Sequence, residues 1–262
     1  MINENAVALF DMDGTLTLPR EKIERNVITA LRELSKHARI GIITGSDLDY
    51  VYEQCGLLFE IGGVDVDKID LLPCNGTKLL RWKNSSFQSL HSADMIDTVG
   101  RKNYKNIISK IFHWQAEITM LYPDLPFTGT FVQYRGSLLN WCPIGRSANL
   151  EQRAEWKGWD KDFCIRENYM DEIAGYISAK KMELTVALGG STSFDIYPDG
   201  WNKTYGLKHY KDKRVFFVGD RCQPGGNDWH LYEKLKGEDA AWETTGPDHT
   251  VKIIKGIIEK VS

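Results

Sequence analysis

Little in this sequence suggests an exported, cross-linked or membrane-borne chain. Its five cysteines (Cys55, Cys74, Cys142, Cys164 and Cys222) are odd in number, scattered, and never in a Cys-x-x-Cys pair. A disulfide framework or a zinc site is therefore not expected, and a reducing, cytoplasmic setting fits. Long apolar runs are missing too. Ala6–Phe10 is far too short for a signal peptide or a membrane span. Neither sign of charge dominates: 33 Lys and Arg face 36 Asp and Glu, for a net charge of −3. Nothing in bulk points to nucleic acid or an anionic membrane as a partner, and the basic cluster at 208–214 reads as a solvated helix end. There is no internal repeat and no low-complexity linker.

What is present is a chain of 262 residues, 42% of them hydrophobic, enough for one large domain or two modest ones. Short apolar runs alternate with helical patterns at both ends. Ala6–Phe10 and 39–44 ("RIGIIT") read as buried strands. A helix over 21–37 follows the first, with Ile23, Val27, Ala30, Leu31 and Leu34 on one face, and a helix over 47–57 follows the second, capped by Ser46 or Asp47. Strand–helix–strand repetition implies a parallel sheet with helices on its faces.

The pattern changes in the middle. "GTFVQYR" (129–135) and 138–142 flank a Gly136-Ser137 turn and predict an antiparallel hairpin. Helices are expected over 103–115, 150–156 and 166–180, and a strand over 182–188. The α/β rhythm returns with strands at 193–197 and 214–218 and a helix at 251–261. The expected organisation is a discontinuous core, 1–82 plus 188–262, with an α+β insert over 83–187.

Chemistry concentrates at strand ends. "FDMDGTLTLPR" (10–20) sets Asp11 and Asp13 just past the first strand, and Asp220 follows "RVFFVG". In an open parallel sheet, ligands bind beyond the carboxyl ends of the strands. Three acids at one edge repel one another unless a cation neutralises them, and oxygen ligands with room for waters and a phosphate suit Mg²⁺. Two adjacent carboxylates also permit a nucleophile and a proton carrier. A strand-end Asp-x-Asp-Gly is often only a turn, but three further features share the strand-to-helix setting. Thr44-Gly45-Ser46 offers a hydroxyl and backbone N–H groups for phosphate. Lys203, after "PDGWN", can neutralise a transferring phosphoryl group. Asp220 leads into "PGGND" (224–228).

Taken in order, Asp11-Met12-Asp13-Gly14-Thr15, Thr44 with Ser46, Lys203, and Gly219-Asp220 with Asn227-Asp228 resemble the four motifs of the haloacid dehalogenase superfamily. "GTFVQYRGSLLNWCPIGRS", "SFDIYPDGWNK" and "GDRCQPGGND" narrow the resemblance to the eukaryotic-type phosphomannomutases, across nearly the whole chain. The resemblance implies a Rossmannoid parallel-sheet core carrying catalysis and an inserted cap gripping the substrate's distal phosphate. It implies Asp11 as nucleophile and Asp13 as general acid/base. Mg²⁺ would sit on Asp11, the backbone carbonyl of Asp13, and Asp220. Ser46 and Lys203 would bind phosphate, and Arg20, Arg135, Arg146, Arg153, Ser193 and Asp195 the substrate.

Residue by residue, the alternatives are plain. Arg135 shares a strand face with Phe131 and Gln133, and three arginines around one hairpin suit a dianion bound by guanidinium forks. Arg153 also fits a helix-surface pairing with Glu151 or Glu155, and Asp195 a pairing with Lys203. The implied reaction converts mannose 6-phosphate and mannose 1-phosphate, with a hexose 1,6-bisphosphate as activator, in support of GDP-mannose synthesis. A sugar-phosphate phosphatase and a phosphoglucomutase are the rivals, because all share the first half of the chemistry. A homodimer through the cap is also implied. Phe112, Trp114, Met120, Leu121, Tyr122 and Phe127 can supply either its interface or the cap's own core. The fourth motif departs from the family's usual Gly-Asp-Lys-Thr, reading Gly219-Asp220-Arg221-Cys222.

Overall fold

Five consecutive apolar residues form β1 (Ala6–Phe10), and each of them is buried, as a strand covered on both faces requires. A computed structural model describes residues 5–60 and 64–262 of the chain. After β1, α1 (Arg25–Leu34) turns Val27, Ile28, Leu31 and Leu34 inward. Next come β2 (Arg39–Ile43) and α2 (Leu48–Glu60). Of the two caps expected for α2, the Asp47 side chain fills the role: its Oδ1 accepts from the Tyr50 N–H at 3.2 Å. Then β3 (Ile69–Leu72) leads into the hairpin β4 (Lys78–Lys83) and β5 (Ser86–Ser92).

A second group of elements follows: α3 (Met95–Leu121), β6 (Val132–Tyr134), β7 (Leu139–Trp141), α4 (Leu150–Phe163), α5 (Ile165–Ala179), β8 (Leu184–Gly189) and β9 (Ser193–Pro198). The helical run of α3 breaks at Gly100, whose φ of +80° lies outside helical space. The chain then enters a 3-10 helix over Lys203–Tyr210, β10 (Arg214–Gly219), α6 (Trp229–Lys236), β11 (Ala241–Glu243) and α7 (Pro247–Val261).

The first sheet has the order β11-β10-β1-β2-β3-β4-β5. Neighbours from β11 to β3 are parallel, and β4 and β5 are antiparallel additions. The second sheet, β6-β7-β9-β8, is antiparallel throughout. The chain divides into two compact units, Met1–Ser92 with Trp201–Ser262, and Ala93–Gly200. These limits correct the expected ones at 82 and 188. The β4–β5 hairpin bonds onto β3, so the first unit runs ten residues further. The strand expected at 193–197 in the returning core is β9, which pairs with β7 and β8 instead. A short apolar strand carries no mark of the sheet it will join.

The insert has its own aromatic centre. Trp141 stacks on Phe194 at 4.9 Å between ring centroids and lies 6.1 Å from Trp114. Of the cap's apolar candidates, Trp114 is buried, and Tyr122 and Phe127 pack partly against this cluster. Phe112, Met120 and Leu121 are exposed. Lys208, Lys211 and Arg214 are solvated, as expected for the basic cluster. Among the described residues, no helix is long and apolar enough to cross a membrane.

Candidate active site

Because β10, β1 and β2 lie side by side and run the same way, the residues after each strand emerge at one sheet edge. There the carboxylates of Asp11, Asp220 and Asp228 lie within 4.8 Å of one another. Asp228 was marked in sequence only as the end of the fourth motif, with no role. It is fully buried just before α6, and its Oδ2 accepts the Arg221 N–H at 3.1 Å. Two glycines make room for the cluster. A Cβ on Gly14, where φ is +81°, would stand 2.3 Å from Asp220 Oδ2, and one on Gly219 would stand 2.6 Å from Asp228 Oδ2.

Lys203 opens its 3-10 helix behind an Asn202 cap, whose Oδ1 accepts the Thr204 N–H at 2.9 Å. The lysine is completely buried, and its ammonium donates to Asp11 and Asp228. Burial pulls the Lys203 pKa down, but the charges of Asp11 and Asp228 overcome this and push it up. One ammonium is not enough for three acids, however. Burial raises the Asp11 pKa against the pull of Lys203, and Asp228 and Asp220 raise it further. Burial, then Asp228, pushes Asp220 up to about 6.

The Oδ1 of Asp220 is buried with no hydrogen-bond partner. An all-oxygen donor set, excess negative charge and an orphaned carboxylate oxygen together fit a hard divalent cation such as Mg²⁺.

The Asp13 carboxylate stands apart from this cluster. Its Oδ1 accepts from the Tyr50 hydroxyl at 3.2 Å, Gln54 Nε2 at 3.1 Å and the Arg20 N–H at 3.3 Å. Arg20 is exposed and has a φ of +67°, an uncommon conformation for a non-glycine residue. The loop after β2 is anchored through its backbone: Thr44 O accepts the Asn75 N–H at 2.7 Å, and Ser46 O the Cys74 N–H at 2.8 Å. Ser46 N–H donates to Thr44 Oγ1 at 3.1 Å.

In the insert, Arg135 Nε donates to Gln133 Oε1 at 3.3 Å, and Arg146 donates to Asn140 Oδ1 at 2.9 Å. Arg153 faces backbone and hydroxyl oxygens of its own unit. Its guanidinium binds Ala148 O at 2.9 Å, Arg146 O at 3.0 Å and Thr192 Oγ1 at 2.8 Å. Asp195 has a partner within the insert: its Oδ1 accepts from Asn140 Nδ2 at 2.7 Å, and the same amide reaches Ser193 Oγ at 3.0 Å.

Asn140, buried and unflagged by the sequence, thus joins Arg146, Ser193 and Asp195. Strand register explains why, since Asn140 stands opposite both Gln133 and Asp195. That juxtaposition exists only once the strands have paired.

The family model described as eukaryotic phosphomannomutase matches residues 27–260. The chain belongs to that family. It is 34% identical over 253 residues to the phosphomannomutase of Arabidopsis thaliana, with 96% of each chain covered. It is 33% identical over 257 residues to that of Schizosaccharomyces pombe, covering 96% of this chain and 93% of the relative. Among solved structures, the N-terminally truncated IMP-nucleotidase of Plasmodium falciparum superposes with a TM-score of 0.68 at 16% identity. That match covers 99% of this chain and 71% of the other. The trehalose-6-phosphate phosphatase of Aspergillus fumigatus gives a TM-score of 0.51 at 16% identity, over 98% and 93% of the two chains. At such identities these two likenesses speak to the fold alone, a haloacid-dehalogenase-like α/β core with a cap. Membership in the phosphomannomutase family makes the protein an enzyme of that class, a sugar-phosphate phosphotransferase. The acid cluster is a donor set that could hold the divalent metal of such an enzyme.

Proposed function

We propose that the protein interconverts mannose 6-phosphate and mannose 1-phosphate through an aspartyl phosphate and a hexose 1,6-bisphosphate, and so supplies GDP-mannose synthesis. One observation carries the reading. Asp11 and Asp13, two residues apart, occupy different surroundings, one paired with a buried ammonium beside two acids, the other ringed by neutral donors. Such separation suits two roles.

In the first transfer, an Asp11 carboxylate oxygen attacks phosphorus and the bond from phosphorus to the sugar oxygen breaks. The departing oxygen keeps the electron pair and takes a proton from Asp13. In the return, a hexose phosphate hydroxyl attacks the phosphoaspartate, Asp13 takes its proton, and the Asp11 carboxylate is released. Lys203 and Ser46 hold the transferring phosphoryl group. Asp11, Asp220 and the backbone carbonyl of Asp13 would hold Mg²⁺, which when bound would supply charge neutralisation at the phosphoryl oxygens.

The bisphosphate must turn end for end, which demands a second place to hold phosphate. Arg135, Arg146 and Arg153 supply it in the insert, with Arg20 as a further substrate contact and Ser193 and Asp195 for the sugar hydroxyls. The insert is on this reading a substrate-gripping cap, and its exposed Phe112, Met120 and Leu121 are the surface through which two copies pair.

The test is a product assay with mannose 1-phosphate, Mg²⁺ and the bisphosphate, repeated with glucose phosphates. Mannose 6-phosphate is expected as the main product. Free phosphate as the dominant product overturns the mutase reading in favour of a phosphatase, and faster turnover of glucose phosphates reassigns the substrate.

A further inference from the structure

The acid–base role given to Asp13 depends on which of its two oxygens carries the proton. Among the described residues, the side-chain hydrogen bonds of Asp13 all end on Oδ1. Two of the three donors, Tyr50 and Gln54, stand four residues apart on α2, so one helix face presents both to the same oxygen.

Gln54 is itself held. It is buried, and its Oε1 accepts from the Thr17 hydroxyl at 2.6 Å, which turns Nε2 toward Asp13. Thr17 is buried as well and lies on the loop of Asp13, where Gly14 N–H donates to Thr17 O at 2.7 Å. The Gln54 carbonyl accepts the Ile23 N–H at 2.8 Å, which ties α2 to the chain just beyond Arg20. Gln54 therefore bridges Thr17 to Asp13, and the Gly14 to Thr17 backbone bond closes the turn that carries both. Three donors thus hold Oδ1, and Oδ2 is the Asp13 oxygen with no side-chain hydrogen bond among the described residues.

We infer that Tyr50 and Gln54 are positioning residues, which lock Asp13 through Oδ1 and thereby present Oδ2 to the substrate oxygen. The inference rests on the acid–base reading of Asp13 above. It adds that α2, outside all four sequence motifs, orients the proton carrier. Neither residue touches reacting atoms on this account, and Thr17 acts one bond further away.

Leaving-group chemistry separates positioning from general structural support. A sugar oxygen leaves well only if protonated, whereas para-nitrophenolate leaves without help. Phosphorylation of Asp11 is to be followed in a first turnover, with mannose 1-phosphate or para-nitrophenyl phosphate, in native protein, Y50F, Q54M and D13N. D13N should lose about 10²–10⁴-fold on the sugar phosphate and stay within about twofold on the aryl ester. Q54M should show the same selectivity at about 10²-fold, as a misplaced group does, and Y50F a weaker form of it. Magnesium-dependent thermal shifts should be unchanged in folded variants, because the acid cluster is untouched.

If D13N falls equally on both substrates, or native protein gives no nitrophenolate burst, the acid–base reading fails and the inference with it. If D13N discriminates while Q54M and Y50F lower both rates alike, or neither, the inference alone is overturned. Y50F keeps the ring and removes only the hydroxyl, so it remains informative should Q54M fail to fold.

Discussion

Two buried acidic sites in the first unit solve the same problem in opposite ways. Asp70, on β3, is fully buried and completely compensated. Arg39 donates to its Oδ1 at 2.7 Å, Arg81 to both oxygens at 2.8 Å, and the Tyr210 hydroxyl to Oδ2 at 2.8 Å. Past the end of β1, Lys203 pairs with Asp11 and Asp228, and among the described residues Oδ1 of the neighbouring Asp220 has no hydrogen-bond partner. The first arrangement is satisfied without help and is structural. The second holds unneutralised charge in a buried place, which costs stability unless a cation or substrate completes it. A deficit of compensation, more than burial or acidity as such, separates the functional site from the structural one.

The largest expected effect comes from breaking the second site. D11N should lose roughly 10⁴-fold or more of turnover while melting no lower than native protein, since one of three repelling acids has been neutralised. Product assays and thermal unfolding together check both halves; surviving activity would remove Asp11 from its role as nucleophile.

D70N should behave in reverse. It unpairs two guanidinium groups and is expected to cost about 3 kcal/mol of stability, read from urea unfolding, with kcat unchanged at temperatures where the variant is folded. A smaller effect comes from completing the deficient site. Mg²⁺ at about 100 times its Kd should stabilise native protein by about 2.7 kcal/mol. D220N should abolish that shift and D70N should retain it, as differential scanning calorimetry with and without chelator will report.

The smallest effect concerns pH in magnesium-free buffer. The folded protein holds the Asp220 pKa at about 6 against an ordinary 3.8, so it binds the proton more tightly than the unfolded chain does. Stability is therefore highest below pH 4 on this account and is lost as pH rises through 6. Partial solvent exposure limits the loss to about 1 kcal/mol. D220N should flatten that slope.

Much of the core was legible because its signals are local. Ala6–Phe10 could hardly be anything but a covered strand, and Asp11, Asp13, Lys203 and Asp220 each stand at a junction that sequence marks with Gly, Asp or Asn. β4 and β5 were missed because their residues are mostly polar or half-exposed, with no apolar run to separate them. β9 was read correctly as a strand and assigned to the wrong sheet. Its partners, β7 and β8, are chosen by hydrogen-bond register rather than by any property of β9 alone.

Sequence by itself determined the strand-end acids, the lysine at 203, the arginine-rich hairpin and the family they resemble, because spacing along the chain survives without coordinates. Only the tertiary structure decided the partners: Asp228 beside Asp11, Asn140 between Arg146 and Asp195, Tyr50 and Gln54 on one oxygen of Asp13. Those pairings join residues as much as 217 positions apart in the numbering, from Asp11 to Asp228. No local pattern encodes them. They follow from parallel strands bringing their ends to one edge and from antiparallel register setting side chains opposite one another.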